Sequence, residues 1–386
     1  MPKKLIKLVS CTEFEKHFQV RPRLAAALGA LLLLLGCSPV SISDGERRVA
    51  LGQTTEQVIL PTYAELRDRS AELAALLEEL AAAPAEGDLS AIRAAYLDVR
   101  SPLEEAEAFA FGPAADSSAT AALDQFPIDP AKIDAALSSD AELSVKYLRS
   151  LGANKRGLHG IEYLLFPAED SELEGALLSP EPSGERRRQY AASAARIVAE
   201  EAEELHDAWA PEGGDYAGKF SRPGAEESVS SNVQAGLDTL LNETVVLTEA
   251  IANLKLGKPL GVTTGGTIDP AAQESERASA SLSDMLANLR GIRNVYLGTR
   301  DGSVGTSLSS LVHAKSASVD VRVRTAIEEA EAAVRAVPEP FTTALERHPA
   351  AVQAAYDAAK ALKRVLATEV LGTLGASLKF SDNDGD

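Results

Sequence analysis

The sequence predicts an all-α protein, and three observations predict it. Alanine, leucine and glutamate dominate the composition, aromatic residues make up only 5% of it, and apolar residues recur at helical spacing through most of the chain. Strong helix formers without a matching supply of β-branched and aromatic residues favour helix over strand. With 386 residues, 45% of them hydrophobic, the chain can bury a large core, and its length favours two domains over one. The formal net charge of −19 repels phosphate backbones, which argues against a nucleic-acid partner.

The first segment reads as an address. Arg21 to Cys37, RPRLAAALGALLLLLGC, is a short basic stretch followed by an apolar run that ends at a small residue and a cysteine. That layout is a bacterial secretory signal over residues 1–36, too short and too abruptly ended for a membrane span. Leu34, Leu35, Gly36 and Cys37 resemble a lipobox, which makes Cys37 the expected lipidation site and the first mature residue. Two or more acyl chains give stable membrane attachment. Ser38 does not resemble an inner-membrane retention signal, so the periplasmic face of the outer membrane is the expected location. Glu13 and Glu15 are odd in a signal and place the expected translation start near Val20. Cys11 and Cys37 are the two cysteines of the chain, so its body has no thiol for catalysis, disulfides or metal binding.

Residues 37–50 are polar and unpatterned, an expected tether. Helical periodicity then predicts helices over about 54–83, with Pro61 in the first turn or at a bend, and 90–111, with Pro102 inside and Gly112-Pro113 at its end. Further helices are expected at 130–137, 142–166 and 186–209. The loop-like PEGGDYAGKFSRPGA at 211–225 separates an expected N-terminal domain, 51–212, from a C-terminal domain, 222–386. Helices at about 226–256, 270–297, 308–335 and 341–374 complete the second half. A short echo, HGIEYL at 159–164 against RGIRNVYL at 290–297, hints at duplication.

The chemistry concentrates in GLHGIEYLLF, residues 157–166. His159 and Glu162 lie at i and i+3 of a helix and share one face inside an otherwise apolar run. Such a pair is half of a site for iron(II), zinc or a similar ion, an acid/base pair, or a structural hydrogen bond. Gly157 and Gly160 are costly in a helix and point to a close backbone approach. A second pair, Glu203 and His206, sits in an acidic run and reads as a solvated face. Zinc-protease, nucleophile-elbow, P-loop and dinucleotide fingerprints are all missing from the sequence.

Taken in order, these segments resemble the imelysin family, also called the M75 peptidase family. Gly157, His159 and Glu162 match its Gly-x-His-x-x-Glu signature. RSPLEEAEAFAFGP at 100–113 and DQFPIDPAKID at 124–134 resemble two further landmarks, with Phe126 where the family usually has tryptophan. ESERASASLSDMLANLRGIRNVYLG at 274–298 resembles a serine-rich helix, and Asp384 to Asp386 a familiar ending. The resemblance implies two four-helix-bundle-like domains with a site between them, in an exported, often lipidated protein associated with iron uptake. On that basis His159 and Glu162 are the expected metal ligands with Glu107 as a further carboxylate, and iron, or else zinc, the expected ion; Arg100, two helical turns before Glu107, and Ser279 with Ser283, at i and i+4, are the expected ligand-binding residues. Expected partners are the membrane, through lipidated Cys37, and iron-transport components. A metal-dependent peptidase using Glu162 and a purely structural envelope lipoprotein are the alternatives; the first is weakened because a catalytic zinc site takes three protein ligands plus a base.

Overall fold

Helix formation starts earlier than the periodicity suggests. The computed structural model describes residues 41–84, 89–116, 119–166 and 176–378; the signal segment, Cys37 and the chain end at 384–386 lie outside them. Asp44–Thr54 is already helical, because Ser43 and Glu46 close a capping box: the Glu46 amide donates to Ser43 Oγ at 3.2 Å and the Ser43 amide to Glu46 Oε2 at 2.8 Å. The second half of the expected tether is therefore folded, with Ala50 and Leu51 buried. The run continues through a π-helical turn, Thr55–Ile59, into Leu60–Ala82. Pro61 sits just after that turn, where its missing N–H is accommodated by the shift in register.

The fold is helical throughout the described residues, with no strand among them. The Leu60–Ala82 helix packs along Pro182–Trp209 on one side and Leu89–Ala106 on the other. Leu89–Ala106 in turn packs on Ser281–Leu297, one of the contacts that join the two halves of the sequence. Gly291 makes this approach close: a Cβ there would lie 2.4 Å from the Glu105 carbonyl. Ala317–Arg335 and Pro349–Arg364 pack on each other in the C-terminal half. One hydrophobic core runs from Ile42 to Leu374, and the described residues from 42 onward form one compact unit. The segment 213–221, expected as a boundary, carries the short helix Tyr216–Ser221, whose Phe220 is buried in that same core. Trp209 lies fully buried among Tyr63, Phe111, Tyr216 and Phe220, and Met285 is buried as well; both are core residues.

Several helices expected as continuous are interrupted. The span 142–166 is Val145–Ser150, a 3₁₀ turn at Ala153–Lys155 and Gly157–Leu165, broken where Gly152 and Gly157 take φ of +87° and +73°. The span 270–297 holds a single 3₁₀ turn, Pro270–Ala272, and is α-helical only from Ser281, after Ser275 and Ser279 adopt φ of +51° and +52°. The span 308–335 breaks at Ser316.

Glu243, on the Val233–Ala250 helix, has its carboxyl pushed up to about 7 by burial. Its folded-state pKa lies above the ordinary 4.5, so stability falls as pH rises from about 4.5 through 7, where only the unfolded chain ionises freely. Glu243→Gln is therefore expected to match wild type near pH 4.5 and to exceed it by about 1–3 kcal/mol above pH 7.5. Urea midpoints at pH 4.5 and 8 check this, and equal differences at both would refute it.

Candidate functional site

The site begins with a contact between two backbones. Gly157 opens the signature helix in the left-handed region, and a Cβ there would meet the carbonyls of Leu123 at 2.7 Å and Ala122 at 2.9 Å. This approach sets His159 beside Asp124, the last residue of the Ala119–Asp124 helix. His159 Nδ1 and Glu162 Oε2 are hydrogen-bonded at 2.8 Å, and Glu162 Oε1 accepts the Ala278 N–H at 2.9 Å. With the carboxylate as acceptor, the imidazole proton belongs on Nδ1. His159 Nε2 is then left facing Asp124 Oδ1 at 3.2 Å, buried and without a hydrogen-bond partner. Burial disfavours the imidazolium, but Asp124 and the bond to Glu162 outweigh it and hold the His159 pKa above its ordinary value.

Behind this pair lies a buried ionic network. The Arg100 guanidinium, 1% exposed, bonds to Glu104, to Asp124 and to Asp284, the last at 2.7 Å. Ser275 Oγ donates to the same Asp284 oxygen at 2.6 Å. Lys255 comes from a π-helical turn, Ile251–Gly257, and its ammonium lies 2.8 Å from Glu104, 3.0 Å from Glu274 and 3.3 Å from Glu107. Asn288 Nδ2 donates to Glu104 Oε2 and Glu107 Oε2, each at 2.8 Å. Six carboxylates (Glu104, Glu107, Asp124, Glu162, Glu274, Asp284) thus face three basic groups (Arg100, Lys255, His159), and the excess negative charge holds protons. Burial pushes Glu107 up to about 8, helped by Glu104 and Glu274 and opposed by Lys255. Burial likewise raises Asp284 to about 6 against the pull of Arg100. A buried surplus of carboxylates attracts cations as well as protons.

Two cavities open beside the pair, and Phe126 lines both. One, of about 190 Å³, is lined by His159, Glu162, Ser275, Glu276 and Arg277 among others. The second, of about 390 Å³, is lined by Asp124, Gln125, Glu274, Thr120 and neighbouring alanines. The Phe126 ring lies 5.2 Å from the imidazole.

Of the residues the sequence singles out, His159 and Glu162 are in direct contact, and Arg100 joins them through Asp124. Glu107 faces Lys255 and Asn288 instead of the imidazole. Ser279 and Ser283 do not share a helix face as their spacing suggests: Ser279 precedes the helix in a left-handed turn, and Ser283 Oγ donates to the Ala280 carbonyl at 2.7 Å. The serine that enters the network is Ser275. Among the described residues no group of three His, Cys, Asp or Glu side chains is arranged around one common metal position. His206 of the second pair contacts Arg67 and Asp207, with its side chain 16% exposed. Asp124, Glu104, Lys255, Asp284 and Asn288 went unread, although Lys255 in IANLKL and Asp284 with Asn288 in LSDMLANL each stand as polar residues in apolar helical runs.

The sequence model of the family described as Peptidase M75, imelysin, matches residues 59–368. The chain belongs to the imelysin family. This imelysin is 27% identical, over 87% of its length and 92% of the relative's, to a protein named iron-regulated protein A from Synechococcus elongatus. The crystal structure of an imelysin-like protein from Psychrobacter arcticum 273-4 shares its fold, with a TM-score of 0.71 at 21% identity over 88% of this chain and 99% of that one. A structure from Parabacteroides distasonis ATCC 8503, whose name also carries the words iron-regulated protein A, superimposes with a TM-score of 0.75 at 22% identity, over 87% and 96% of the two chains.

Proposed function

We propose that this protein is a lipid-anchored envelope protein that binds iron at the His159 site and serves iron uptake. The observation that carries the reading is the buried His159 Nε2, unpartnered and 3.2 Å from a carboxylate oxygen, in a residue that lines a cavity. In the neutral ring Nε2 carries a lone pair while Nδ1 is fixed by a carboxylate, the usual state of a metal-binding histidine, so a metal binds in competition with the proton that Asp124 favours there. The surplus of carboxylates around it favours a cation, and the name of the Synechococcus relative supports iron over zinc. Binding is favoured over peptide hydrolysis because both Glu162 oxygens are already held, Oε2 by His159 and Oε1 by Ala278, so the carboxylate orients the ring and is poorly placed to activate a water.

Elemental analysis of protein purified without chelator is expected to find about one iron per chain, and anaerobic iron(II) titration of His159→Ala to show at least a 100-fold weaker affinity than wild type, more than the about 10–100-fold typical for loss of an orienting partner. Equal binding by both proteins would remove His159 from the function. The anchor is tested separately: Cys37→Ala is expected to leave the membrane fraction and to lose incorporated fatty acid.

A further inference from the structure

Two carboxylates touch the His159 ring, and they touch it differently. Glu162 meets Nδ1 at 2.8 Å in hydrogen-bond geometry, while Asp124 Oδ1 stands 3.2 Å from Nε2 without a hydrogen bond. Two donors bound to one metal at about 2.1 Å, at an angle of about 90–110°, are themselves about 3.0–3.4 Å apart. The Nε2–Asp124 separation fits such an edge; the Nδ1–Glu162 separation is that of a proton-filled bond. Glu162 cannot turn to Nε2 without giving up its Ala278 N–H, and Glu107 is held by Lys255 and Asn288.

We propose that Asp124 is the carboxylate that shares the metal with His159, and that Glu162 is a positioning residue that keeps the Nε2 lone pair free. This rests on the reading of a metal at His159 and says which side chains complete it. Arg100 and the Gly157 contact hold Asp124 in place, Arg100 by bonding the same Oδ1 oxygen and Gly157 by its approach to Leu123. Two protein donors fill only part of a coordination shell, and the cavities of about 190 and 390 Å³ on either side of Phe126 leave room for water to supply the rest. A shell completed by exchangeable ligands suits a metal that is taken up and passed on, since no rigid protein cage has to be broken for release.

Cobalt(II) is the probe, because its visible absorption reports the ligand set. Full-length protein and its Asp124→Ala, Asp124→Glu and Glu162→Ala variants are titrated, with helicity checked by circular dichroism. Asp124→Ala is expected to weaken cobalt at least 100-fold. Glu162→Ala is expected to weaken it by about 10–100-fold, the range for loss of an orienting partner, with an unchanged spectrum at saturation. Asp124→Glu keeps the charge opposite Arg100, so it reads the role even if the alanine variant fails to fold: a shifted cobalt spectrum supports ligation and an unshifted one overturns it. In metal-free protein, long-range proton–nitrogen spectra should show the neutral His159 ring protonated at Nδ1 in wild type and a mixture of tautomers in Glu162→Ala. A spectrum that changes at saturation in Glu162→Ala while Asp124→Ala binds normally would reverse the two roles and leave the metal reading standing. Wild type that binds no cobalt or iron would remove the metal reading itself.

Discussion

Arg100→Met is expected to lose about 3–5 kcal/mol of folding stability at pH 8, the cost of leaving buried carboxylates without their counter-charge. Arg100 bonds three carboxylates, Glu104, Asp124 and Asp284, and all three side chains are less than one-tenth exposed. The methionine fills similar volume, so the loss reports charge and not a void. The sign of the pH dependence follows from the partners. Without the guanidinium their folded-state pKa values rise above the unfolded ones, so the folded variant takes up protons and its stability falls as pH increases. Asp284 already sits near 6 with Arg100 present. The deficit should therefore be small near pH 4.5 and reach its full size above pH 7, as read from urea unfolding across that range. A deficit below about 1 kcal/mol at pH 8, or one that does not vary with pH, would mean that Lys255 and bound protons already neutralise the network.

Gly157→Ala is expected to cost about 2–4 kcal/mol and to weaken iron binding as well. A left-handed backbone conformation alone costs a non-glycine residue about 1–2 kcal/mol. The remainder comes from a Cβ 2.7 Å from the Leu123 carbonyl and 2.9 Å from that of Ala122, backbone atoms that give way only if the 119–124 helix shifts. That helix carries Asp124, so relief of the clash pulls the carboxylate away from His159. Gly160→Ala is the control: a Cβ there meets the Lys155 carbonyl at 3.3 Å, in a helical conformation. It is expected to stay within about 1 kcal/mol of wild type, since better helix propensity offsets the tighter contact. Denaturation and metal titration of the two variants side by side check this. Equal stability losses would remove the special status of Gly157.

The candidate site was half legible. His159 and Glu162 could be paired because a 3.6-residue period puts i and i+3 on one face, and their contact is that local geometry realised. The two flanking glycines signalled a close approach, and for Gly157 the approaching backbone proved to be that of Ala122 and Leu123. Asp124 could not be paired with His159 in this way, because 35 positions of chain separate them and no period relates the two. Ser279 and Ser283 misled for the converse reason: the periodic pattern assumed a helix through residues 270–280, whereas left-handed turns at Ser275 and Ser279 deliver Ser275 to Asp284 and the Ala278 amide to Glu162. Ser43 and Glu46 were readable as a capping box and would have moved the first helix start to its observed position.

Composition and short-range period are enough for whatever is local along the chain. That covers the helical class, the i, i+3 contact of His159 with Glu162, and the imelysin membership. Tertiary structure alone decided which carboxylate faces which cation. Ionic partners such as Arg100 with Asp284, and Lys255 with Glu104, are joined across more than 150 residues by the packing of whole helices. Charge attracts over distance without regard to register, so no spacing along the chain encodes it; the docking of the 89–106 helix on 281–297, which Gly291 allows, brings Arg100 to Asp284, and the 251–257 turn brings Lys255 to Glu104.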